Sequence, residues 1–91
     1  MANPCMFYIY ILKLNNNQLY TGCTKNLKRR ILEHKEGKSS FTSQRLPVEL
    51  IHYEAYLLKE DAMRREKYLK TTEGKRFLKQ QLKSLFEKLN K

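Results

Sequence analysis

Glu66 falls inside the apolar arc of its helix. With Leu58 set at 0° on a wheel of about 100° per residue, Leu69 lies at about 20°, Ala62 at about 40°, Glu66 at about 80° and Met63 at about 140°. A carboxylate there is costly unless it is paired or holds a cation. It is therefore either an edge-of-core glutamate bridged to a nearby arginine or a ligand for a metal ion. The segment 27–35 carries a second anomaly. With Leu27 at 0°, Ile31 lies at about 40°, His34 at about 340° and Arg30 at about 300°. Arg30 and His34 thus sit one turn apart beside the apolar stripe, whereas Lys28 and Arg29 point elsewhere. An arginine beside a histidine either clamps a phosphate or snorkels along the core. Tyr10 and Tyr20 flank a turn signal and share a sheet face, as core residues or as proton-transfer groups. Together these five residues are the parts for phosphodiester hydrolysis. A carboxylate holds a Mg2+ that keeps several waters, and the ion stabilises charge on phosphate and leaving oxygen. A phenol moves a proton, and an arginine offsets transition-state charge.

The charge of the chain agrees with a polyanionic partner. Nineteen Lys and Arg stand against nine Asp and Glu, a net charge of +10 in 91 residues. The pI of about 9.8 is that of a nucleic-acid binder. Anionic membrane would satisfy the charge alone. Two basic blocks, 24–45 and 74–91, each of net +5, flank a nearly neutral stretch, which implies a binding surface built from two segments or two solvated helix faces. The length permits one domain. With 41% hydrophobic residues, the mean hydropathy of −0.73 does not signal disorder. No apolar run is long enough to cross a membrane. Cys5 and Cys23 form no C-x-x-C pair, which predicts free thiols, no zinc site and a cytoplasmic protein.

The elements that must position these residues follow from periodicity. Phe7 to Leu12 reads as a buried strand, Asn15-Asn16-Asn17 as a turn and Gln18 to Cys23 as a second strand. A turn centred near Asn15 would set Tyr10 opposite Tyr20. Thr24 or Asn26 can cap a helix over 27–35 that Gly37 ends. Lys38 to Pro47 reads as a polar, basic loop, and Val48 to Glu54 as a third strand of imperfect alternation. A helix is predicted from Leu58 to Leu69, a break at Thr71 to Gly74, and one basic amphipathic helix from Lys75 to Leu89. The order β-β-α-β-α-α predicts an α+β fold, a three-stranded antiparallel sheet flanked by helices.

The sequence resembles the GIY-YIG nucleases over residues 6–78. It is most similar to the small stand-alone bacterial members, which are like the nuclease domain of the excinuclease that makes the incision in excision repair. Tyr8-Ile9-Tyr10 stands where the family has GIY, with Tyr8 in place of the first glycine. Tyr20-Thr21-Gly22 stands where it has YIG, and Tyr10 and Tyr20 are ten apart as the family requires. Asn26 to His34 resembles the helix that carries the family's arginine, and places Arg30 in that role with His34 four residues on. Ala62 to Glu66 resembles the helix of the metal-binding glutamate.

The resemblance implies a DNA endonuclease using one Mg2+ or Mn2+ on Glu66. It implies catalytic roles for Tyr10, Tyr20, Arg30, His34 and Glu66, with Tyr10 the first choice for helping to deprotonate the attacking water. DNA repair or recombination is the implied setting. Larger relatives choose DNA with attached domains, so a specificity-providing partner protein is implied here. Lys25, Lys28, Arg29, Lys38, Arg45, Lys70, Lys75 and Arg76 are the expected DNA contacts. Such contacts position without specifying sequence. High net charge favours a monomer, although the apolar stripe of the last helix offers a dimer face. A basic binding module without hydrolytic activity is the alternative, and docking of the last helix on anionic membrane a further one.

Overall fold

The central strand β1 spans Phe7–Lys13 and lies between β2, Leu19–Thr24, and β3, Glu49–Tyr56, in the sheet order β2-β1-β3. Both pairings are antiparallel. The computed structural model describes residues 5–89. The helices are α1, Leu27–Lys35; α2, Lys59–Leu69; α3, Thr72–Gln81; and α4, Lys83–Leu89. The sheet with flanking helices is the α+β arrangement expected, with one more helix.

Alternation along β1 divides the core into two layers. Ile9 and Ile11 face α2 and α3, where Ala62, Leu69 and Leu78 complete a buried cluster. Tyr10, Leu12 and Leu14 face α1 and pack with Ile31 and Val48. No free face remains on the central strand, so Ile9, Tyr10, Ile11 and Leu12 are all buried.

The hairpin register differs from the one predicted. Tyr10 pairs with Gly22, and Leu12 pairs with Tyr20. Asn17 takes φ 67°, and Leu14 N–H bonds to the Gln18 carbonyl across the turn. The hairpin thus centres near Asn16, which shifts the partner of Tyr10 by two residues. A shift of two preserves the face, so Tyr10 and Tyr20 remain on one side, diagonally apart with ring centroids at 6.3 Å. Gly22 is needed because the Tyr10 ring lies directly over it. A Cβ at position 22 would fall 2.3 Å from the Tyr10 Cζ and hydroxyl.

The imperfect alternation of β3 has a cause. The β1–β3 register shifts between Ile11, opposite His52, and Leu12, opposite Leu50. This bulge adds Ile51, so neighbouring residues on either side of it change faces. Leu50 and Tyr53 then lie over the α1 layer, while His52, Glu54 and Tyr56 lie under α2. Glu54 there accepts from Arg65 through both carboxylate oxygens, at 3.0 and 3.2 Å, from Tyr56 at 2.6 Å and from His52 at 3.0 Å. Burial pushes this carboxyl up, but the hydrogen bonds from Arg65, Tyr56 and His52 outweigh it and hold it at about 2.

Helix α1 covers its predicted range. Asn26 is the cap, its side chain accepting from Arg29 N–H at 3.1 Å, and Thr24 supports it by accepting from Asn26 N–H. The C-terminal helix departs from its predicted form. Thr71 caps α3 by accepting from Gly74 N–H, so the stretch read as a break starts a helix. Gly74 lies in its first turn, where a Cβ would fall 1.9 Å from the Tyr68 carbonyl oxygen. It permits α3 to press on the end of α2. The single helix predicted over 75–89 is divided at Leu82, which leaves helical geometry and packs onto the core.

Glu54 titrates at about 2 in the fold and at 4.5 when free, so its contribution is complete above 4.5 and is lost as pH falls toward 2. Urea unfolding should show stability falling in that window, and Glu54→Gln should flatten the fall. The same substitution should cost about 1–3 kcal/mol at neutral pH, because it weakens charged hydrogen bonds. Gly22→Ala should cost about 1–3 kcal/mol by forcing Tyr10 aside, measured by the same unfolding.

Candidate active site

Four of the five expected catalytic residues meet in the layer between the sheet and α1. Tyr10 comes from β1, Tyr20 from the edge strand β2, and Arg30 and His34 from α1. The i, i+4 spacing puts Arg30 and His34 on one side of the helix. His34 goes further inside than its wheel position indicates and is 0% exposed, with Tyr10 at 1%. The Tyr10 hydroxyl and His34 Nε2 are 2.8 Å apart. The His34 ring meets both tyrosines edge-on, with centroids 5.5 Å from Tyr10 and 5.3 Å from Tyr20. Arg30 is part-buried, bonds to Glu33 at 3.1 Å, and lies close enough to draw on the Tyr10 phenol.

Electrostatics follow from this enclosure. Burial pushes the Tyr10 phenol up to about 12 against the pull of Arg30. Burial, then the Arg30 charge, holds the His34 imidazole below its ordinary value. At neutral pH Tyr10 is a protonated phenol and His34 a neutral ring.

Glu66 comes from the opposite layer. It lies on α2, which packs over β1 and β2, and its side chain is 24% exposed. Burial pushes the Cys23 thiol up, and the Glu66 charge adds to it; at the Tyr10 phenol, where burial again dominates, Glu66 contributes least. Its ion-pair partner is the exposed Lys70 Nζ at 3.4 Å, not an arginine. Among the described residues no group of three or more His, Cys, Asp or Glu is placed to hold a metal. Cys5 and Cys23 are free thiols.

The loop read only as polar and basic supplies two residues to the site. Thr42 is 0% exposed, with Oγ1 at 2.7 Å from His34 Nδ1. Phe41 stacks on Tyr20 at 5.5 Å, and the Arg45 guanidinium covers the Phe41 ring at 4.3 Å. The signal for both was present in the sequence, as an aromatic and a β-branched residue side by side in a polar stretch.

The expected DNA contacts divide into two sets. Lys25 and Lys28, with Lys35, line an open groove of about 640 Å³ on the other flank of α1, beside Tyr8 and Tyr53. Lys75 and Lys79 line a cleft of about 600 Å³ beside Phe41. Arg29 is exposed on α1. Lys25 Nζ also lies over the Phe7 ring at 5.5 Å, and the remaining four have partners within the protein as well. Lys38 pairs with Glu36 at 3.3 Å, Lys70 with Glu66, and Arg76 lies over the Phe77 ring. Arg45 also donates to the Phe41 carbonyl at 2.7 Å. Among the described residues no helix is long and apolar enough to cross a membrane.

Comparison with known proteins agrees with this arrangement. Residues 6–83 match the model of the GIY-YIG catalytic domain. A UPF0213 protein of Staphylococcus haemolyticus is 44% identical over 73 residues, covering 79% of this chain and 89% of the relative. One from Clostridium perfringens is 44% identical over 66 residues, covering 71% of each. The solution NMR structure of a UPF0213 protein from Bacillus halodurans superposes with a TM-score of 0.54 at 37% identity, covering 80% of this chain and 81% of that one. The tyrosine pair on adjacent strands, the arginine helix and the match over most of the chain are one finding: the protein belongs to the GIY-YIG family, among its small UPF0213 members.

Proposed function

We propose that the protein is a metal-dependent DNA endonuclease, acting in the cytoplasm, with Tyr10, Tyr20, Arg30, His34 and Glu66 as its active site. The observation that supports this reading is the meeting of two phenols, a guanidinium and an imidazole on one side of strands β1 and β2, against which the helix carrying Glu66 also packs. Family membership supports nuclease chemistry.

The roles follow from exposure. Arg30 is part-buried and still solvent-accessible, so its guanidinium is the group to take a phosphate and offset the charge that develops on it. Tyr20 is part-exposed, whereas Tyr10 is sealed and holds its proton tightly. That contrast favours Tyr20 over Tyr10 as the tyrosine that meets the attacking water. The water oxygen bonds to phosphorus as the ester P–O bond breaks. Tyr20 takes the water's proton while releasing its own to solvent, and the leaving oxygen is reprotonated from solvent. Tyr10 and His34 form the rigid wall behind Tyr20.

Glu66 is a part-exposed carboxylate whose ion-pair partner is a surface lysine, and it belongs to no cluster of three or more metal-ligating side chains among the described residues. Such a ligand fits a hard cation that keeps most of its waters, Mg2+ or Mn2+, rather than a closed cage. Held on Glu66, such an ion would supply positive charge to the phosphate and the leaving oxygen. DNA lies along the lysines of the groove and the cleft. The groove's lining includes Lys25, Lys28 and Lys35 and no carboxylate. Contacts of this kind hold DNA without reading sequence, so recognition of a site falls to DNA structure or to a partner protein.

Arg30→Ala should lower cleavage of a labelled DNA by about 10²- to 10³-fold. Tyr20→Phe should lower it by at least about 10²-fold, with DNA binding retained in both. Binding without cleavage by the wild type would return the protein to the class of binding modules. With about four phosphate contacts, affinity should fall roughly 100-fold between about 50 and about 200 mM salt. A salt-independent affinity would overturn the lysine tracks.

A further inference from the structure

We infer that Thr42 is a positioning residue that selects the His34 tautomer with the proton on Nδ1, leaving Nε2 to accept from the Tyr10 hydroxyl. The three side chains form one chain across the α1 layer, Tyr10 to His34 at 2.8 Å and His34 to Thr42 at 2.7 Å. All three are at most 1% exposed, so water does not compete for either bond.

Two proton arrangements satisfy these distances. In one, Tyr10 O–H donates to Nε2, and Nδ1–H donates to Thr42 Oγ1. In the other, Thr42 O–H donates to Nδ1, and Nε2–H donates to the phenol oxygen. The chemistry of the two hydroxyls decides between them. A phenol is a strong donor and a weak acceptor, because its lone pair is shared with the ring. An alkyl hydroxyl is the weaker donor and the better acceptor. The first arrangement therefore matches each group to its better role. It also leaves the phenol oxygen free to face Arg30, which carries donors only. A neutral ring is required, and the enclosure keeps it so.

Thr42 acts through His34 and touches no substrate. It fixes the ring by the same logic that sets a metal-bound or catalytic histidine through its second nitrogen. The loop holds Thr42 inward, while its neighbour Phe41 lies over Tyr20. One turn thus sets both the wall behind Tyr20 and the cover above it. This use of Thr42 in turnover rests on the nuclease reading, but the tautomer does not.

The test is long-range proton–nitrogen NMR of the ¹⁵N-labelled full chain, with His34 assigned against His34→Gln. Wild type should show a pyrrole-type Nδ1 and a pyridine-type Nε2 at neutral pH. The reverse pattern would overturn the inference whether or not the protein cleaves DNA. Thr42→Ser keeps the hydroxyl and should keep both the tautomer and cleavage near wild type. Thr42→Val, nearly isosteric, should shift the His34 nitrogens and lower kcat about tenfold with KM little changed. Retention of the wild-type nitrogen shifts in a folded Thr42→Val would overturn it, as would a Thr42→Ser variant that fails to hold the tautomer. Should Thr42→Val fail to fold, the wild-type spectrum and Thr42→Ser still decide the question.

Discussion

A phenol and an imidazole sealed from water must satisfy each other, and the Tyr10–His34 hydrogen bond is where this fold meets that demand. Leaving either group unpaired in the interior costs about 1–3 kcal/mol. The bond joins the central strand to α1 across residues 24 apart in sequence. It therefore fixes the helix against the sheet and, with it, the position of Arg30. The fit depends on what is missing as well as on what is present. Gly22 supplies the space for the Tyr10 ring, and any side chain there would occupy it.

The other face of the sheet answers a second demand, the burial of charge. Glu54 is held ionised by Arg65, with Tyr56 and His52 completing its shell. Such a bidentate arginine pair is directional and resists rotation. It ties α2 to β3 and so sets where Glu66, on the same helix, comes to lie. Arg65 and Glu66 are adjacent residues with opposite tasks. One neutralises a half-buried carboxylate, and the other carries a carboxylate on the helix that packs against β2. The two layers meet through the sheet and again at the cleft that Phe41 lines with Lys75 and Lys79, and both Tyr20 and the α2 helix that carries Glu66 lie against strand β2.

The site was legible in the sequence where helical periodicity governs it. The range of α1, its Asn26 cap and the placement of Arg30, His34 and Glu66 near apolar arcs all follow from local spacing. Long-range fit was not legible in this way. The partner of Tyr10 is decided by the turn around Asn16 and by the space over Gly22, and neither leaves a periodic trace. The bulge at Ile51 breaks an alternation for reasons that lie in the neighbouring strand. Gly74 reads as a helix stop in sequence, yet it is a contact point between two helices. Thr42 and Phe41 sit in a stretch whose composition describes a solvated loop, and their burial and stacking come from a histidine and a tyrosine elsewhere in the chain. The resemblance named the family and the residues expected at the site, while the exposure difference between Tyr10 and Tyr20 arises only in the folded chain.

The most direct measurement is cleavage of supercoiled plasmid and of a flapped DNA, with Mg2+, Mn2+ or EDTA, by the wild type and by Glu66→Ala. A metal site on Glu66 predicts cleavage that requires the cation and disappears in Glu66→Ala while DNA binding persists. Cleavage that survives in EDTA or in Glu66→Ala would contradict it.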